Sequence, residues 1–142
     1  MEYCLVKTNP KTYDLIRCLE ENETFEGWSW SVGARVQPGN ILFIGLSGSQ
    51  AGIYARATIA GRPNRGNITG DDLGYWIDLE EAKKERFYAA VSSFQKIGAP
   101  ISEHKLRTHP TLIKVADWLR NQGAVKYLTD KEGKAIDRLL GI

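Results

Sequence analysis

Residues 41–60 constrain the fold more than any other stretch of the chain. They open with ILFIGL, pass through a connection marked by Gly45, Ser47, Gly48 and Ser49, and return as AGIYARATIA. A short apolar run fed by the turn signal Pro38-Gly39-Asn40 and followed by glycine and serine is a buried strand returning through a hairpin. Three further segments read as strands. EYCLVKT near the start carries Tyr3, Leu5 and Val6. RFYAAVSSFQKI (86–97) alternates through Phe87, Ala89 and Val91 before Phe94, with Pro100 closing it, and residues 125–128 form a short strand. Helices frame these strands. Asn9-Pro10 starts one, with asparagine as cap and proline in the first turn, turning Tyr13, Leu15, Ile16 and Leu19 inward to about Asn22. Ser102 caps a second. Residues 108–120 form a third, with Leu112, Val115, Ala116 and Leu119 on one side and Gly123 as its stop. Thr129 and Glu132 make a capping box for the last, with Ile136, Leu139 and Leu140 inward. FEGWSWSVGARV (25–36) fits neither a regular strand nor a long helix, and residues 61–74 form the longest structureless stretch. Strands joined by hairpins and long loops, with helices at the two ends, predict an α+β fold. About five or six strands of this kind are best used in a small curved or closed barrel, which removes exposed edges.

The chain has 142 residues, 42% hydrophobic and 25% charged, which fits a single domain over residues 1–142 with a core that needs no metal or disulfide staple. No apolar run approaches the ~20 residues of a membrane span, and the start lacks the greasy stretch of a signal peptide. Cys4 and Cys18 form neither a disulfide framework nor a CxxC pair, so they read as thiols in a reducing compartment. A cytoplasmic protein without a membrane partner is expected. The net charge of +2 hides an asymmetry, −3 over residues 1–26 and +5 over the remainder. Residues 27–70 contain Arg35, Arg56, Arg62 and Arg65 and no carboxylate. Such a region suits a polyanion, because each neutralised phosphate releases counterions; a merely solvated basic surface is the alternative.

Signals for catalysis are weak. His104 and His109 lie five apart on a polar stretch without a metal-binding context. GLSGSQAG (45–52) is glycine-rich but lacks the lysine ending of a phosphate-binding loop. There is no GxSxG elbow, and neither cysteine has a histidine nearby in sequence to activate it. Asp71-Asp72 reads either as paired carboxylates or as an exposed turn. The expectation is a protein that is not an enzyme, with no metal site and no cofactor.

Four tryptophans carry a stronger signal. Trp118 falls on the apolar side of a helix and reads as core. Trp28, Trp30 and Trp76 lie in or beside glycine-rich loops, and Trp28 and Trp30, two apart, face the same way if the segment is extended. Each either lids the core or offers a stacking face. Beside an arginine region free of carboxylates, loop aromatics suggest stacking on a nucleobase. A base taken out of its duplex loses stacking worth a few kcal/mol. Aromatic faces return ~1–3 kcal/mol per base. A polar group between them, such as Ser31, can read the base edge.

The order of these features resembles the EVE domains, relatives of YTH and other PUA-like folds, along nearly the whole chain. YCLVKTNP (3–10) is similar to the opening strand of that family, with Cys4 where a tryptophan is customary. GWSWSVGAR (27–35) resembles the loop that supplies the first cage aromatic, and Trp30-Ser31 resembles the tryptophan–serine segment of YTH domains. VQPGNILFIGLSGSQAGIYARATIAGRP (36–63) is the best match, with Asn40 in place of the common aspartate and Ala55 in place of the common glycine. YWIDLEEAKKERFYAAVSSFQKI (75–97) and residues 101–136 are similar to the central strand and tail. The resemblance implies a PUA-like barrel that takes a flipped, modified base into an aromatic cage: methylated or hydroxymethylated cytosine, or N6-methyladenine. It implies Trp30 as one wall, Ser31 as a hydrogen-bonding partner, and Trp76 or Tyr75 as the opposing wall, with Trp28 a further candidate. Arg35, Arg62 and Arg65 would hold phosphates, joined by Lys83, Lys84 and Lys126. Such domains serve modification-dependent restriction systems, fused to HNH nucleases or McrB-type motors. DNA is therefore the expected partner. An RNA-binding module and, through ASCH-like relatives, a small nucleotide-acting enzyme using Asp71 or Asp72 are the alternatives.

Overall fold

The expected hairpin lies in the middle of a seven-stranded mixed sheet. The structure, a computed structural model, describes residues 2–22, 28–66 and 74–142. Strand β3 (Ile41–Leu46) pairs antiparallel with β4 (Gly52–Ile59) across a 3-10 turn at Gly48–Gln50. Gly48 enters that turn at φ +80°, a conformation costly for a residue with a Cβ. β1 (Tyr3–Thr8) runs parallel to β3 and carries β7 (Val125–Leu128) antiparallel on its outer side. On the other side of β4 lies the 17-residue β6 (Arg86–Ser102), which is also paired with β2 (Ser29–Ser31) and β5 (Asn64–Gly66). The order is β2-β6-β4-β3-β1-β7, and the sheet curls into a half-barrel.

Alternation along the strands sends side chains to two separate clusters. Tyr3, Leu5, Ile41, Phe43 and Ile53 pack with residues of α3 (Glu103–Arg107), α4 (Ile113–Arg120) and α5 (Asp130–Leu139). Cys4, Val6, Leu42, Ile44 and Leu46 face the other way, with Ala55, Ala57, Ile59, Tyr13, Trp30 and residues of α1 (Leu15–Glu21). Covered on both sides, every residue of β3 is buried. The two ends of the strand order meet beyond β2. There the backbone N–H of Arg35 donates to the Tyr127 hydroxyl at 3.0 Å. Gly33 is needed at this seam, since a Cβ on it would lie 2.2 Å from the Tyr127 hydroxyl oxygen.

Several boundaries differ from expectation. The first helix begins at Leu15, not at Pro10. The Asn9 side chain accepts from the Lys11 N–H, and the N–H groups of Thr12 and Tyr13 both donate to the Asn9 carbonyl. This local turn competes with helix and delivers Tyr13 to an antiparallel bridge with Trp76, after which Asp14 caps α1. β6 runs through Pro100 because its register jumps from Ala55↔Lys96 to Ile53↔Ile101, which places the proline in a bulge where no ladder bond is lost. The helix expected over 108–120 starts at Ile113, after turns around Pro110. Residues 29–31 and 64–66 are strands, their sequence signal too short to show periodicity. A short helix, α2 (Leu79–Ala82), capped by Asp78, leads into β6. Asp71 and Asp72 lie outside the described residues. No described helix is long and apolar enough to cross a membrane.

Candidate base-binding pocket

A cavity of about 270 Å³ opens between the end of β1, the turn that follows it, β2, and the segment from Trp76 to the start of β6. Trp30, Ser31 and Trp76 all line it. Pairing of β2 with β6, Trp30 opposite Ala89 and Ser31 opposite Tyr88, sets the first two. The Tyr13–Trp76 bridge sets the third. Tyr13 also lines the cavity and ties its walls together, meeting the Trp30 ring edge-on at 6.1 Å and the Trp76 ring edge-on at 5.1 Å. Trp30 is only 7% exposed. Phe94 supports it from behind at 5.6 Å, re-aimed by a one-residue bulge at which Ser93 adopts φ +48°.

The other predicted site residues stand outside the cavity lining. Trp28 stacks on Trp30 at 6.4 Å, nearly parallel at 19°. Tyr75 accepts a hydrogen bond from the Asn22 amide at 3.0 Å and lies beneath the Arg17 guanidinium. Arg35 covers the Tyr127 ring at 4.0 Å. Arg65 is exposed near Glu85 and over Phe87, Arg62 is exposed, and Lys126 sits on β7. Lys83 and Lys84 are exposed on the far end of α2, paired with Glu80 and Glu81.

The charged residues of the cavity itself are ones the sequence reading passed over. Arg86 lies over the Trp76 ring at 5.1 Å. It donates to the Glu81 carbonyl at 2.9 Å and to the Glu81 carboxylate at 3.1 Å. Lys7 sends its ammonium to the carbonyls of Trp118 and Asn121 at the end of α4 and over the Trp118 ring; burial lowers its pKa. Tyr88 completes the set. Arg86 and Tyr88, two apart on a strand, share one face, and that spacing was the available signal. Among the described residues no group of histidine, cysteine, aspartate and glutamate is arranged to hold a metal ion. Cys4 and Cys18 are buried free thiols, and burial pushes the Cys4 thiol up to about 11.

No protein-family model matches the chain, and no curated protein matches it. Solved structures do. Protein Atu2648 from Agrobacterium tumefaciens aligns with 100% of this chain and 94% of its own, at TM-score 0.64 and 16% identity. Human THYN1 protein, in complex with 5-methylcytosine-containing DNA, aligns over 100% and 99% at TM-score 0.58 and 14% identity. A ZmASCH mutant protein from Zymomonas mobilis aligns over 98% and 99% at TM-score 0.61 and 9% identity. The fold is PUA-like. At such identities the likeness is one of architecture, and it puts the aromatic cavity of this chain on a PUA-like scaffold.

Proposed function

We propose that this chain is a reader domain for a modified base in nucleic acid, most closely of the EVE type that its sequence resembles. The observation that carries the reading is the convergence of Trp30, Ser31 and Trp76 on one cavity. An extruded base would exchange lost duplex stacking for the aromatic walls, while Ser31 contributes a polar contact. A 5-methyl, hydroxymethyl or N6-methyl group would add apolar contact inside the cage. The exposed Arg35, Arg62, Arg65, Lys83 and Lys84 would meet phosphates outside it, joined by the half-buried Lys126. Beside Trp76, Ile77 and Leu79 are 58% and 55% exposed, the side-chain type that proteins wedge between base steps. DNA is the favoured partner because the structurally similar human THYN1 protein was captured with 5-methylcytosine-containing DNA. In this reading residues 1–142 work as one non-enzymatic specificity domain inside the cell, directing an associated nuclease or McrB-type motor.

The test is an equilibrium titration with matched oligonucleotides, DNA and RNA, each unmodified or carrying one 5-methylcytosine, 5-hydroxymethylcytosine or N6-methyladenine. A preference for one modified DNA that disappears in Trp30→Ala supports the reading. Equal affinity for every probe overturns it. Turnover of a small nucleotide that depends on Asp71 or Asp72 would replace it with the enzyme alternative.

A further inference from the structure

The two cations that line the cavity are not equally committed. Lys7 is held by carbonyl groups at the end of α4. Arg86 is held more loosely. One of its terminal nitrogens donates to the Glu81 carbonyl at 2.9 Å, which ties α2 to the start of β6. The other donates to the Glu81 carboxylate at 3.1 Å, a second bond that the tie does not need. A guanidinium has five N–H donors, and the remaining three of Arg86 have no acceptor among the described residues. Its side chain is 23% exposed, and both it and Glu81 line the cavity beside Trp76. The second Glu81 oxygen is taken by Lys84 at 2.6 Å. Two cations thus converge on one carboxylate, and the trio carries a net positive charge.

We propose that Arg86 and Lys84 form an anion site which Glu81 occupies in the free protein and a phosphate group takes over, making Glu81 a built-in competitor of the ligand. This rests on the base-reader function above and adds to it a contact on the sugar–phosphate side. A nucleotide whose base enters the cavity carries a phosphate one sugar away from the walls. Arginine presents a planar fork that matches phosphate as well as carboxylate, and a phosphate brings more acceptor oxygens to the donors that Arg86 leaves idle. The exchange costs little. The Glu81 side chain is one-third exposed, and a partly exposed ion pair contributes little to stability. Its carboxylate can turn to water while its carbonyl still holds α2 in place. A backbone phosphate of nucleic acid and the monophosphate of a free nucleotide offer the same chemistry.

Fluorescence anisotropy would compare wild type, Glu81→Gln and Arg86→Gln on duplexes holding one 5-methylcytosine, one N6-methyladenine or no modification. Each modified duplex carries natural phosphates or an uncharged methylphosphonate on one side of the modified base, and thermal melts of the free proteins accompany the titrations. On the duplex that wild type prefers, one of the two methylphosphonates should weaken wild type about tenfold. Arg86→Gln should lose about tenfold on the natural duplex and be indifferent to that methylphosphonate. Glu81→Gln should gain about threefold on the natural duplex, gain nothing on the methylphosphonate one, and melt close to wild type. Should Arg86→Gln fail to fold, the wild-type and Glu81→Gln arms decide. A monophosphate of the preferred nucleoside that competes as well as the natural duplex, where the nucleoside does not, assigns the exchange to a free nucleotide; weaker competition assigns it to the backbone. Wild type indifferent to both methylphosphonates would overturn the exchange alone. So would Glu81→Gln gaining equally on both duplexes, or melting far below wild type with affinity unchanged, the mark of a pair that serves the fold. Absence of any preference for a modified base in the wild type would instead overturn the base-reader function.

Discussion

The two faces of the central sheet use the same strands to opposite ends. On the helix-covered face, Tyr3 and Phe43 stack in parallel, 6.1 Å apart and 1° from coplanar, among aliphatic side chains of α3, α4 and α5. α5 approaches so closely that a Cβ on Gly133 would lie 2.1 Å from the Tyr3 ring. On the opposite face Tyr13 meets Trp30 and Trp76 edge-on, and these three rings border a cavity instead of filling it. Close packing of flexible aliphatic chains stabilises by burial and leaves no space. Rigid rings braced against one another keep a space open at the cost of that burial. Under the proposed function, the difference assigns stability mainly to one face and recognition to the other.

The sharpest way to break this division is to truncate a large ring on each face. Phe43→Ala, at a fully buried site, should cost about 3–5 kcal/mol of stability in a denaturant titration. Below its shifted midpoint it should keep wild-type affinity for modified DNA. Trp76→Ala should do the reverse. The ring already borders open space, so its loss should cost only about 1–2 kcal/mol in stability, while removing a stacking wall weakens modified DNA by about ten- to a hundredfold. If Phe43→Ala abolished binding while still folded, or Trp76→Ala unfolded the protein, the two faces would not be separable in this way.

How much of each face was legible in the sequence follows from the same contrast. The central hairpin and the capping box at Thr129 and Glu132 could be read because periodicity, turn residues and helix caps are local signals. Trp30, Ser31 and Trp76 could be singled out because tryptophans in glycine-rich surroundings are unusual and because their order resembles a known domain. Tyr13 could not. Its position suited the inward face of a helix, and only the Asn9 turn and the distant bridge to Trp76 make it a wall. Arg86 and Tyr88 sat within a run whose alternation drew attention to Phe87, Ala89 and Val91. Their meeting with Ser31 depends on β2, a three-residue strand that needs its partner to exist. Lys7 read as the polar end of a strand, with nothing nearby to show that the end of α4 would claim its ammonium.

Titration separates the faces at opposite ends of the pH scale. On the helix side, hydrogen bonds from Arg120 and Arg107 hold the Glu103 carboxyl below its usual value of 4.5. A depressed carboxyl contributes stability that is present above the ordinary carboxylate range and lost as the pH falls through its folded value. Glu103→Gln should therefore flatten the acid limb of the stability profile. On the cavity side, burial raises the Cys4 thiol from 9.0 to about 11. Its contribution is complete below pH 9 and lost as the pH climbs towards 11, because the unfolded thiol ionises first. Cys4→Ala should flatten the alkaline limb and leave the acid one unchanged. Urea midpoints measured across both ranges would check the pair; exchanged effects would contradict the assignment.

The smallest expected effect concerns neither face but the rim. Arg62 is exposed and stands apart from the cavity lining, so in the proposed complex it meets phosphate and carries no information about the base. Arg62→Ala should weaken modified and unmodified duplexes by the same factor, leaving their ratio as in wild type. One lost phosphate contact should reduce the slope of log affinity against log salt by about 0.9. The measurement is a salt series on two duplexes with each protein. A change in the ratio would draw Arg62 into base recognition and extend the recognising surface beyond the cage. An unchanged slope would remove it from the interface and leave Arg35 and Arg65 as the arginines to test next.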